Sequence, residues 1–134
     1  MFSCLYLQLY NLIESTVIAC ISQLEKEIKG ITGAVEAANP EFQKEVCPSK
    51  SLDDISDMLD KAGDLGFKKA ITIILGLGES FEDVSYLIDY IRDHKIDRVI
   101  FYSLNPHPET IYAESSQPAS LYYAKVVSTV RLAF

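Results

Sequence analysis

Residues 70–75 read Ala-Ile-Thr-Ile-Ile-Leu and are followed at once by Gly-Leu-Gly. A strand with one wet face alternates apolar and polar side chains, whereas a near-continuous apolar run reads as a strand covered on both faces, the condition of parallel sheets. Two further runs fit the same scheme: Ile31-Thr32-Gly33-Ala34-Val35, ending at Glu36, and a segment from Arg98 to Leu104. Helical patterns separate them. Asn39-Pro40 opens a brief helix that Pro48 interrupts. Ser51 caps a second, whose buried face is Leu52, Ile55, Met58, Leu59 and Ala62 and whose stop is Gly66. A third starts near Ser80 with Val84, Leu87, Ile88 and Ile91 on one face. The last starts near Pro118 and continues through Leu121, Ala124, Val127 and Val130. Strand, helix, strand, helix is the order of right-handed βαβ units, so the class is α/β.

Ahead of these units, Leu5, Leu9, Ile13, Val17, Cys20, Leu24 and Ile28 recur at spacings of three and four, with Gly30 as a stop. The spacing predicts an N-terminal amphipathic helix over residues 1–30, followed by the α/β part over 31–134. A full (β/α)8 barrel needs about 250 residues. With about three parallel strands legible in 134 residues, the expected architecture is a partial TIM-type (β/α) barrel, a piece with open sheet edges.

Lys plus Arg number 12 and Asp plus Glu 19, a net charge of −7. That balance argues against a nucleic-acid or anionic-membrane surface, which would need a basic face. No apolar run is long enough to span a bilayer. Val17-Ile18-Ala19-Cys20 superficially resembles a lipoprotein cleavage box, but no basic residue precedes it and Glu14 interrupts the apolar stretch. A cytoplasmic location is expected. Cys4, Cys20 and Cys47 are too widely spaced for a zinc or iron–sulfur ligand set and suit a reducing compartment.

Parallel α/β folds work at the loops after the carboxyl ends of their strands. Those loops bring together Glu36 and Asn39; Gly76, Gly78, Glu79 and Ser80; and Asn105, His107 and Glu109. Plainer roles compete at each position. The glycines allow a tight turn, and the acids of Ser80-Phe81-Glu82-Asp83, like Asp53-Asp54, read as solvated helix starts. His107, between two prolines, reads as a loop histidine, and the tyrosines read as core and interface groups. Glu36 is harder to set aside: a carboxylate buried without a partner costs on the order of several kcal/mol, so it needs solvent, a cap or a ligand. A phosphate site at Gly76 and Gly78 lacks a nearby basic residue.

Ile73-Ile74-Leu75-Gly76-Leu77-Gly78-Glu79-Ser80 resembles the G-x-I-x-G-x-x-E motif of the radical S-adenosylmethionine (radical SAM) superfamily, in its biotin-synthase-like branch. Ile74, Gly76 and Glu79 match, and Thr72 replaces the first glycine. Residues 36–41 resemble the acidic segment after the fourth barrel strand, and residues 104–110 the Leu-x-Pro-x-Pro-x-Thr loop after the sixth. The resemblance covers about residues 31–134 and implies a barrel that binds S-adenosylmethionine. Ile74 and Gly76 would pack on adenine, Glu79 would shape the turn, and Glu36, with Asn39 beside it, would meet the methionine or ribose part. Gly78 would belong to the same turn, and Leu104 and Pro106 would line the adenine pocket. In the family a 4Fe-4S cluster cleaves the cofactor to a 5′-deoxyadenosyl radical. Its C-x3-C-x2-C ligand motif is absent from this sequence, as are the barrel's first strands, so the chain is expected not to generate a radical alone. The implied role is a fragment or half of a radical SAM enzyme that needs a missing N-terminal half. The alternative is a non-catalytic half-barrel that pairs with itself or a partner.

Overall fold

The computed structural model describes the backbone of residues 5–8 and the whole of residues 28–134. The elements run β1 (Leu5–Gln8), β2 (Ile28–Glu36), α1 (Pro40–Val46), α2 (Leu52–Asp64), β3 (Lys68–Leu75), α3 (Asp83–Asp93), β4 (Arg98–Ser103) and α4 (Ser120–Ala133). The four strands form one sheet in the order β1-β2-β3-β4, and every neighbouring pair is parallel.

That order decides the architecture. Right-handed crossovers that always advance in one direction put every connecting helix on the same side of the sheet. Side chains from α2, α3 and α4 share one core with Ile31 and Val35 of β2 and Ile71, Ile73 and Leu75 of β3. Gly33 lets α2 lie close, since a Cβ there would stand 2.9 Å from Ile55 Cγ2 and 3.1 Å from Leu59 Cδ1. By alternation, the other face presents Thr32, Ala34, Ala70, Thr72, Ile74, Ile100 and Tyr102, mostly small or polar. A sheet wound one way, with helices outside, is a sector of a (β/α) barrel.

The N-terminal helix expected over 1–30 does not hold where the chain is described. Leu5–Gln8 pairs in parallel with β2, and Ile28, Lys29 and Gly30 belong to β2 itself. Residues 9–27 lie outside the described part. Short apolar runs carry too few turns for periodicity to separate strand from helix. Gly30, read as a helix stop, instead permits close strand pairing: a Cβ there would sit 2.7 Å from the Lys68 carbonyl oxygen. Among the described residues the sheet therefore has one strand more than the three legible in the sequence.

The other helix signals work as read. The Asn39 side chain accepts from the N–H groups of Glu41 and Phe42, and the Ser51 hydroxyl accepts from the Asp54 N–H. Gly66 adopts φ +84° after α2. The third helix begins at Asp83 rather than Ser80, because the intervening residues make tighter turns, with Asp83 N–H bonded to the Ser80 carbonyl and Val84 N–H to that of Phe81. Among the described residues no helix is long and apolar enough to cross a membrane.

Candidate functional site at the carboxyl rim of the sheet

β2 ends in strained backbone. Its pairing with β3 advances from Ala34 opposite Thr72 to Glu36 opposite Ile73, a bulge that leaves Val35 extra. Glu36 then takes φ +64°, and the Ala37 N–H reaches back to the Val35 carbonyl at 2.8 Å. This closes a γ-turn of the rarer form, with positive φ at its centre. A non-glycine residue in that region costs about 1–2 kcal/mol. The side chain is 11% exposed, and its Oε1 lies 3.0 Å from Lys50 Nζ, itself 17% exposed. The partner that a buried Glu36 requires is thus Lys50, supplied by the α1–α2 connection. The neighbouring Cys47 thiol is pushed up by burial and then by the Glu36 charge, an effect Lys50 partly offsets, so it stays a protonated thiol at neutral pH.

Asn39 does more than cap α1. Its Nδ2 donates to Asp83 Oδ1 at 2.7 Å, tying the loop after β2 to the start of α3. Asp83 Oδ2 accepts from the Ser80 N–H at 2.7 Å and from the Ser80 hydroxyl at 3.2 Å. Burial raises the Asp83 carboxyl, but the bonds from Asn39 and Ser80 outweigh it and hold it below its ordinary 3.8. The Glu82-Asp83 pair, read as a solvated helix start, therefore includes a structural tie across the rim.

The turn after β3 is held by its own acid. Gly76 N–H is bonded by both Glu79 oxygens, at 2.8 and 3.1 Å. Gly76 has φ +102°, and a Cβ there would stand 2.8 Å from Pro118 Cδ and 3.2 Å from Leu104 Cβ. Glycine is demanded twice, by conformation and by space. Gly78, at φ +111°, meets nothing within 4 Å and is demanded by conformation alone. Leu104 is buried, and its N–H extends the β3–β4 ladder to the Leu75 carbonyl at 2.8 Å. From α4, the Tyr122 hydroxyl is buried beside Glu79; burial, and then the Glu79 charge, push its pKa up to about 12.

A cleft at this rim is lined by Glu36, Asn39, Ile74 and Glu79 among the sequence-predicted residues, and by Phe42, Asp83 and Tyr122 among those the sequence reading missed. Gly76 lies against both Leu104 and Pro118 beside it. Gly78 and Pro106 do not line it. His107 is exposed and organises its own loop, its carbonyl accepting from the N–H and hydroxyl of Thr110. The space enclosed is about 30 Å³, room for a water or two. Leu75, Val84 and Val126 from the helix-side core close it, so the exposed part of the rim faces the opposite side of the sheet, where Ile74 belongs by alternation. Lys50 and Tyr122 carry no local signal, because each reaches the rim from another element. Asp83 carried one, the Ser80-x-x-Asp83 spacing, which reads as capping alone.

Among the described residues, no group of three or more His, Cys, Asp or Glu side chains converges on a metal position. The described residues therefore do not provide the ligand set of a 4Fe-4S cluster.

No family model matches the chain. It is 46% identical over 107 residues to an uncharacterized protein of Methanocaldococcus jannaschii, a match covering 80% of this chain and 30% of that protein. The chain thus spans about a third or less of the length of this relative. Among solved structures it superimposes on a radical SAM methyltransferase from Sphaerobacter thermophilus with TM-score 0.66 and 16% identity, over 87% of this chain and 35% of that one. At that identity the likeness is one of fold alone: the chain has the architecture of a partial (β/α) barrel.

Proposed function

We propose that this chain is the S-adenosylmethionine-facing sector of a radical SAM barrel, biotin-synthase-like in its turn after β3, and that the 4Fe-4S cluster is held outside the described residues. The observation that carries the reading is the pairing of two constrained turns on adjacent strand ends. Glu36 is strained at the end of β2, and Gly76 is clamped by Glu79 at the end of β3. Strained backbone persists only where the surrounding structure over-determines it, and such residues cluster at ligand sites. The resemblance in residues 36–41, 73–80 and 104–110 and the shared fold support the same assignment. On this reading the nucleoside lies on the exposed inner side of the rim, because the enclosed cleft is too small for it. Ile74 and Gly76 meet the adenine, the backbone near Leu104 and Pro106 borders it, and Glu36 receives the amino group or ribose. The cluster would supply the electron for reductive cleavage; the sector supplies position and exclusion of water.

A second reading, a non-catalytic half-barrel that associates through its edges, is favoured by the half-buried Val99, Ile100 and Phe101 on β4, the last strand of the sheet. Calorimetric titration of the chain with S-adenosylmethionine separates the two. Saturable binding, weakened at least fivefold by Glu36→Ala and by Glu79→Ala in variants that keep cooperative unfolding, supports the radical SAM sector. Absence of binding, or equal affinity in both variants, leaves the interaction module.

A further inference from the structure

We propose that the outer edge of β4 is the interface of a two-fold dimer of this chain, β4 pairing antiparallel with β4 of a second copy about Ile100; the inference rests on the association reading above. No strand among the described residues pairs with that edge. Such a strand offers a row of N–H and C=O groups to another chain, and proteins blunt these edges with proline, a bulge or inward charge. β4 has none of these over its middle. Its register with β3 runs without interruption from Ala70 opposite Arg98 to Leu75 opposite Ser103, and Val99, Ile100 and Phe101 are apolar and half-buried. Tyr102, next along, is 49% exposed.

The order of residues along the strand names the partner. In an antiparallel pair, residues directly opposite one another share a face of the sheet. A two-fold axis through Ile100 sets Val99 opposite the partner's Phe101 on the helix side, and Arg98 opposite the partner's Tyr102 on the inner side. Symmetry makes each match twice. A β-branched residue beside an aromatic one, and a guanidinium against a phenol ring, are both favourable cross-strand pairs. The two copies of Arg98 stand four residues apart along the seam, about 14 Å, so salt screens their repulsion. Asp97, already bonded to Lys68 and to the Lys69 N–H, faces the partner's Ser103 rather than a second acid. Moving the axis to Phe101 loses these matches, since Arg98 then meets the partner's Leu104. With the axis normal to the sheet, both helix layers stay on one side and the inner faces become continuous.

Sedimentation velocity across the micromolar range, without nucleoside, tests the dimer. Wild type is expected to pass from monomer to dimer with rising concentration and to stop at two, as a closed two-fold interface requires. Each copy carries −7, so added salt should tighten the association. Ile100→Lys sets two ammonium groups together on the axis and should weaken it at least tenfold. Leu132→Lys, which adds the same charge on an exposed position of α4, should not weaken it. Should Ile100→Lys fail to fold, Ile100→Cys carries the test by itself. Two copies of that cysteine meet on the axis and should cross-link on mild oxidation, with wild type as the blank for Cys4, Cys20 and Cys47. Tyr102→Cys should not cross-link, because its two copies lie four residues apart along the seam. Cross-linking through Phe101→Cys in place of Ile100→Cys overturns the register. A dimer that neither Ile100 variant touches overturns the β4 interface and leaves association to another edge. A wild type that stays monomeric throughout removes the dimer together with the association reading beneath it.

Discussion

Gly76 and Gly78 are two positions apart, share positive φ and differ in surroundings, so they separate conformational strain from crowding. Gly78→Ala adds a Cβ to open space and should cost about 1 kcal/mol, the penalty of an alanine at positive φ. Gly76→Ala adds the same strain and drives a Cβ to 2.8 Å from Pro118, so it should cost about 2–4 kcal/mol. Urea unfolding of the two variants checks this, and equal losses would mean that Pro118 yields freely. The need for Gly76 was legible in its place after a buried strand, but Pro118 as the atom it meets was not, because 42 residues separate them. Glu36 shows the same limit. Its need for a partner followed from the chemistry of a buried carboxylate, while the identity of that partner as Lys50 depended on how the α1–α2 connection returns to the rim.

Between elements, the Asn39–Asp83 hydrogen bond joins two loops that are adjacent only because β2 and β3 pair. Asp83 is held below its ordinary value when folded, so its contribution is present above the unfolded value of 3.8 and is lost as pH falls through the lower folded value. A double-mutant cycle with Asn39→Ala and Asp83→Ala is expected to give a coupling of about 1 kcal/mol at neutral pH. The coupling should vanish at a pH well below 3.8, and one that persists there would mean that the tie does not depend on the carboxylate. The cycle is needed because Asn39→Ala alone also removes the cap of α1. Both caps of this layer, Asn39 and Ser51, were readable from sequence, since a cap bonds within three residues of itself. The cross-loop role of Asn39 was not readable, since the same side chain serves both purposes from opposite ends of its amide.

At the scale of the whole molecule, the helix layer holds the two most perturbed tyrosines among the described residues. Burial pushes Tyr90 up to about 12 despite its hydroxyl contact with Ser56, and Tyr122 reaches about 12 beside Glu79. An unfolded chain releases these protons near 10, so stability should fall as pH rises from 10 to 12. Urea midpoints across that range are expected to decline, and Tyr90→Phe should flatten the decline without orphaning Ser56, whose hydroxyl still donates to the Leu52 carbonyl. A decline as steep in the variant would place the alkaline sensitivity elsewhere.

Parallel strands, the helices between them and the loops that carry the polar residues were all present in the sequence by itself, because burial on both faces, capping and turn chemistry act over a few neighbouring residues. Tertiary structure decided what depends on residues far apart. It made Leu5–Gln8 a strand, since four apolar-rich residues acquire an identity only when β2 offers them a ladder. It ordered the strands so that all helices lie outside, and so produced a barrel sector. It also placed Lys50, Asp83 and Tyr122 around Glu36, Asn39 and Glu79, because chain return rather than local pattern determines which charges and hydroxyls share a rim.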